Sequence, residues 1–470
     1  MPSDYKAITK RNVEQLGKDT ASRKSQVSMY SDFSHFVYEI LQNADDYEAK
    51  TVEFKLKEDE LVIEHDGIPF KDENVKAISY FGRSTSRDDL IKTGQFGVGF
   101  KSVFAFTASP AIHSGEENFE IYGLYRLKAL PKPNNLDQSK TRIRLPFDHE
   151  EKQPNFVEHL VSKKEAFEKI SRKLKKLDIT TLLFTHNVLE IKWTVLDETG
   201  HYLREDKFNQ EINDHLQTRR SEITDGDELH TYLVFCRPVK WKGKDYKPVE
   251  IAFSLDVDND GEKIEAIKEP PLFVLFPTTK ETHVGFLMNG PFRTPPHRET
   301  VSEDDEFNQF LVKEMSKLLC HSFPEIREKS LVSIDFLETL PIRMNDFPRM
   351  FYPIAEAVRN VLMENDLLPA DDGTFVSGEN AMLGRGDELR KLLSPNQLKE
   401  LFSSNKDDKE IKWLSGEITQ DRTPDLRSYL KDQLNVIELM PESFAGKIDE
   451  SFLKNQTDDW MIDFYGFLIV

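Results

Sequence analysis

The chain has 470 residues, 38% of them hydrophobic and 31% charged, and a formal net charge of −20. That length suits about three domains, and the composition is that of a globular protein with a very polar surface. The negative charge argues against broad non-specific nucleic-acid binding. Cys236 and Cys320 are the only cysteines and lie far apart, so neither a disulfide framework nor a cysteine metal site is implied. No apolar stretch approaches the roughly 18 residues of a membrane helix, and residues 1–30 lack the apolar segment of a signal peptide. A reducing, cytoplasmic setting without a membrane partner is expected.

In chain order, residues 1–30 read as a polar arm, helical or mobile. A first α/β unit is expected over 31–150. It opens with "DFSHFVYEILQNADDYEAK", where Phe33, Phe36, Val37, Ile40, Leu41 and Ala44 recur at helical spacing behind Asp32 as N-cap. "TVEFKLKEDELVIEHDG" alternates with period two and predicts a strand pair. The loop "GQFGVGFKS" (94–102) leads into "VFAFTASPAIHSG", and two further strands are expected in "FEIYGLYRL" and "TRIRLPF". Residues 151–185 read as a helical linker. Within it Phe167, Ile170, Leu174 and Leu177 form one face of an amphipathic helix with a solvated lysine side. A second α+β domain is expected over 186–345 and a mainly helical region over 346–470. The apolar ending "DDWMIDFYGFLIV" suggests a longer protein cut here, or else a docked terminal helix. "DVDNDG" (256–261) imitates a calcium loop, but its twelfth position is Ile267 rather than Glu.

Three short stretches point to chemistry. Glu39 and Asn43 are four residues apart and share a helical face, with Asp46 one turn on. An Asn beside phosphates suits Mg²⁺, and a Glu one turn away suits a general base; E-x-x-x-N also describes a plain solvated helix edge. In "VIEHDGIPF" (62–70), Asp66 after a buried strand suits an acceptor for an adenine amino group, with Gly67 letting the base approach. An ordinary D-G turn has the same sequence. Gly94, Gly97 and Gly99 ahead of an apolar run suit a phosphate cradle, to which Lys101 adds charge.

In this order the stretches resemble the GHKL superfamily of ATPases, the Hsp90, gyrase B and MutL type. "LQNADD", "GQFGVGFKSVF", "TTLLF…LEIKW" and "FLMNGPFRTPPHRETV" are most similar to the sacsin N-terminal ATPase module and its bacterial relatives, over roughly residues 20–310. The resemblance implies a Bergerat-type α/β sandwich within an α+β chain. It implies Glu39 as general base, Asn43 as Mg²⁺ ligand, Asp46 in support and Asp66 with Gly67 at adenine. Gly94, Gln95, Phe96, Gly97, Val98, Gly99, Phe100 and Lys101 would wrap the phosphates, and Thr141 would stand near the base. Two positions depart from the pattern: Pro69 replaces the second glycine of the usual D-x-G-x-G, and Tyr47 stands where a small residue is commoner. If the register follows Gly67, His65 takes the place of the Asp. Arg298, and second Arg293, lie in a Pro-rich loop suited to sensing the γ-phosphate, or to pairing with the acidic run 302–306.

The resemblance thus implies a slow Mg-ATP hydrolase whose loop closure moves domains. It would act on a protein client or partner subunit, or within a defence or restriction system, with a homodimer as a further expectation. The alternatives are a nucleotide-gated scaffold without significant hydrolysis and an ATP-dependent DNA clamp. A histidine kinase is rejected, because no histidine precedes the first helix segment.

Overall fold

The computed structural model describes residues 2–16, 36–80, 99–134, 136–259, 261–294, 300–345, 347–402 and 410–469. The fold is mixed α+β, built on one large sheet. Helix α1 (Tyr5–Leu16) precedes α2 (Phe36–Asp46), β1 (Thr51–Leu56), β2 (Glu60–His65) and α3 (Asp72–Ser79). A 3₁₀ segment (Gly99–Ala105) leads to β3 (Ala111–Ser114), β4 (Glu117–Tyr122), β5 (Arg126–Ala129) and β6 (Thr141–Pro146). Next come α4 (Lys163–Leu174), β7 (Glu190–Val195), β8 (Glu198–Asn213), β9 (Leu216–Asp225), β10 (Glu228–Trp241), β11 (Lys244–Asp258) and β12 (Gly261–Glu265). The sheet is completed by β13 (Pro271–Val274), β14 (Phe276–Glu281) and β15 (Leu287–Asn289). The strand order is β14-β13-β15-β11-β10-β9-β8-β7-β1-β2-β6-β3-β4-β5, with β12 alongside β11.

Helix α2 buries Phe36, Val37, Ile40, Leu41 and Ala44, the stripe its periodicity predicts. Strands β1 and β2 pair antiparallel from Val52↔His65 to Leu56↔Leu61. Val52, Phe54 and Leu56 of β1, and Leu61 and Ile63 of β2, turn into the same core as α2. On the other side of β1, β7 pairs in parallel (Thr51↔Glu190 to Leu56↔Val195). The stretch expected to be a linker joins this core through Phe156, Val161, Ile170, Leu174, Leu182 and Phe184. Its amphipathic stripe needs an apolar partner, and β1 without β7 would leave an open edge. The first part of the expected arm is docked as well. Tyr5 and Ile8 reach the same core, and the buried Asn12 amide donates to the carbonyls of Ser79 (3.2 Å) and Tyr125 (3.1 Å).

A second core joins β10, β11, β13 and β15 to α5 (Glu306–Glu328) and α6 (Tyr352–Glu364). A third, from Met382 to Phe464, includes the terminal helix α7 (Asp458–Ile469). Residues 346–470 are not helical throughout. Three short strands, Ala381–Gly384, Lys412–Trp413 and Ile437–Leu439, form a parallel sheet there, too brief to show period-two alternation. Asp256 and Asp258 belong to the β11–β12 hairpin (Asp258↔Gly261) rather than to a cation loop.

Candidate functional site

Helix α2 presents Glu39, Asn43 and Asp46 along one half-buried line, while its other side enters the core. The chain returns to this line at Gly99, as the 3₁₀ segment begins. A Cβ built on Gly99 would lie 1.6 Å from Glu39 Oε2 and 2.4 Å from its Cδ. Only glycine lets the carboxylate sit there. Gly67 meets the C-terminal end of the same helix: its Cβ would fall 2.7 Å from the Tyr47 carbonyl oxygen, and the Ile68 N–H donates to that oxygen at 2.8 Å. The Tyr47 hydroxyl accepts from the Asn74 amide, so the large side chain is tied to α3. The two glycine-bearing stretches therefore reach opposite ends of the Glu39–Asn43–Asp46 line.

The residues expected near the base, Asp66 and Thr141, differ in burial. Asp66 is exposed, and its Oδ1 accepts the N–H groups of Lys50 (2.8 Å) and Thr51 (2.9 Å). It secures the start of β1 and takes the parity of Val62 and Glu64, opposite to the core-facing residues of β2. His65 has the core parity, with Leu61 and Ile63. It is 5% exposed, and its Nδ1 accepts the Gly67 N–H at 3.2 Å. Burial pushes its imidazole down to about 4, against an upward pull from Asp66, so it is neutral at physiological pH. Across the sheet His65 pairs with Thr141, and Thr141 with Ser114. The Thr141 and Ser114 hydroxyls are 2.5 Å apart, and the Phe70 N–H donates to Ser114 Oγ at 2.9 Å. His65, Thr141 and Ser114 thus form a buried polar cluster where β2 ends and β6 begins. Ser114 was missed in the sequence, although it shares the inward parity of Ile112.

Phe100 and Lys101 are buried. The Lys101 ammonium donates to the carbonyls of Ile78 (2.7 Å) and Leu124 (2.8 Å), joining the end of α3 to the β4–β5 turn. Burial lowers its pKa to about 7. Gly94, Gln95, Phe96, Gly97 and Val98 lie outside the described residues, as does Arg298. The Arg293 guanidinium pairs with Asp305 at 3.3 Å and lies 5.0 Å from the Phe307 ring centroid. It takes the pairing to the 302–306 acidic run that its sequence also allowed.

Asp45, beside this line but facing inward, was also missed. It is 1% exposed and accepts the N–H groups of His186, Asn187 and Val188 at 3.1, 2.6 and 2.9 Å. Burial raises its pKa, but the His186 side chain and these N–H groups outweigh that and hold it at about 2. Asp45 thereby fixes the site helix to the segment that enters β7.

Residues 55–123, which contain the His65–Gly67 and Gly99–Lys101 stretches, match the family model described as the sacsin domain. That stretch of the chain is similar to the sacsin domain. It is 28% identical over 120 residues to human sacsin, a match covering 22% of this chain and 3% of that protein. It is 25% identical over 429 residues to Protein NO VEIN of Arabidopsis thaliana, covering 82% of this chain and 15% of that relative. The chain therefore spans a small part of the length of either relative. Among solved structures, the B-subunit of DNA gyrase from Myxococcus xanthus aligns with a TM-score of 0.35 and 11% identity, over 72% of this chain and 99% of that one.

Proposed function

We propose that this chain binds Mg·ATP at the Glu39–Asn43–Asp46 line and hydrolyses it slowly as a GHKL-type ATPase. The observation that carries the reading is the carboxylate of Glu39 against Gly99, in the space where any other residue would place a side chain. A carboxylate at the point where the chain returns to the helix is placed to align a water and accept its proton. The donor set also fits magnesium. Asn43 offers a neutral oxygen on the same helical face. That pattern suits an ion held by one protein oxygen together with nucleotide phosphates. When bound, magnesium supplies neutralisation of phosphate charge; Asn43 would hold it, and Asp46 would support the site.

On this reading residues 94–101 wrap the phosphates. Arg298 is the cation that senses the γ-phosphate, since Arg293 is already engaged by Asp305. Closure of that loop would couple nucleotide state to the second core, acting on a protein client or partner subunit or within a multi-component defence system. The test is steady-state phosphate release and Mg·ATP affinity for the wild type and Glu39→Ala. Turnover lost with affinity kept supports the hydrolase. Binding without turnover in both proteins replaces it with a nucleotide-gated scaffold. Absence of binding refutes the reading.

A further inference from the structure

The polar cluster at the end of β2 carries a consequence for the nucleobase, resting on the proposed nucleotide site. A site that selects adenine through its 6-amino group needs a hydrogen-bond acceptor facing that group, because the amine is a donor. Asp66 cannot fill this role from its place on the other side of the strand, with Oδ1 committed to the Lys50 and Thr51 N–H groups. The side chain of β2 on the core face is His65, paired in the sheet with Thr141.

The hydrogen bond from the Gly67 N–H occupies the lone pair of His65 Nδ1. A neutral imidazole carries one proton, so Nε2 bears it and is a donor. The Gly67 Cβ position explains why this bond persists: it would lie 3.1 Å from Nδ1, so a larger residue would separate the two groups. Among the described residues no hydrogen bond to Nε2 is seen, and Nε2 is not one of the fully buried atoms left without a partner. Nε2 therefore keeps its proton available for an acceptor that a ligand brings.

We infer that His65 is a specificity-determining residue, presenting a donor where adenine selection needs an acceptor, so that the site takes 6-oxopurine triphosphates at least as readily as ATP. The carbonyl oxygen of hypoxanthine or guanine would accept the Nε2 proton, whereas the adenine amine would face it donor to donor. Thr141 and Ser114 do not restore selection for adenine. Their hydroxyls bond each other, and each can turn to donate or accept.

The test compares affinities of the full chain for Mg·ATP, Mg·ITP and Mg·GTP by titration calorimetry. ITP isolates the 6-position, and GTP adds the 2-amino group. For the wild type, ITP is expected to bind within about threefold of ATP or tighter. His65→Asp restores an acceptor and is expected to shift the ATP-to-ITP affinity ratio by about tenfold towards ATP, the worth of one hydrogen bond. His65→Ala, which removes the donor without burying a charge, is expected to shift it the same way, by less, should the aspartate variant fold poorly. The ratio compares two ligands on one protein, so a merely structural role for His65 would leave it unchanged. A wild type preferring ATP over ITP by more than about tenfold, or a ratio unmoved in both the aspartate and the alanine variants, overturns the inference and leaves the proposed ATPase standing. Failure to bind any of the three nucleotides overturns the proposed function itself, and this inference with it.

Discussion

Gly99→Ala isolates the contact on which the functional reading stands. Gly99 is not in the left-handed region, so alanine meets no backbone strain. What it meets is Glu39: the new methyl would lie 1.6 Å from Oε2, 2.4 Å from Cδ and 3.1 Å from Cγ. An ordinary carbon–oxygen contact exceeds about 3 Å, so the carboxylate must move by more than about 1 Å. A displacement of that size at a catalytic group costs on the order of 10²-fold in turnover. Crowding a packed site costs about 1–3 kcal/mol of stability. Both effects should vanish in a Glu39→Ala background, where the obstructing atoms are gone. The assays are phosphate release for turnover and urea unfolding for stability, on the two single variants and the double variant. The expected outcome is near-complete non-additivity, with a coupling of about 1–3 kcal/mol in stability. Equal destabilisation by Gly99→Ala in both backgrounds, or turnover unchanged by it, would refute the reasoning.

Asp66→Ala is expected to weaken the fold by about 1 kcal/mol through the freed N–H groups at the start of β1, with nucleotide affinity unchanged; a marked loss of affinity at intact stability would return the base contact to Asp66. Asp45→Ala leaves the N–H groups of His186, Asn187 and Val188 unmatched, and should cost about 3 kcal/mol, read by denaturant titration. Because the Asp45 carboxylate is lowered from 3.8 to about 2, its stabilising contribution is present above pH 3.8 and is lost as the pH falls towards 2. Lys101 has the opposite consequence. Its pKa falls from 10.5 to about 7, so between those values the unfolded chain holds a proton that the folded chain has released, and stability rises with pH across that window. Lys101→Met should flatten that part of the profile. Arg298→Ala is expected to lower turnover while leaving Mg·ATP affinity within a few-fold, and Arg293→Ala to leave both near wild type, as measured by phosphate release and calorimetry.

Much of the first domain could be read from the residues alone. The stripe from Phe36 to Ala44 determines helix α2, and 3.6-residue geometry then aligns Glu39, Asn43 and Asp46 without help from the rest of the molecule. The alternation in 51–65 determines two strands, and the apolar face of 163–174 a helix, because each pattern is local and each buried face needs only some apolar partner. What covers those faces is a long-range matter. Nothing local tells that β7 lies parallel to β1, making 190–195 part of the first sheet.

The site divides the same way. The glycines were legible as a place of close approach, but the atoms approached, the Glu39 carboxylate and the Tyr47 carbonyl, come from α2 and its exit, distant in sequence. The sequence displays Lys101 as a charge beside a phosphate loop, whereas the carbonyls that receive it lie 23 residues away in either direction. Neighbours in a strand point to opposite faces, so one step of register decides whether His65 or Asp66 enters the core. Composition cannot supply that step. It was settled by the pairing of β2 with β1 and β6, because backbone hydrogen bonds to two neighbours fix parity where a lone strand leaves it open.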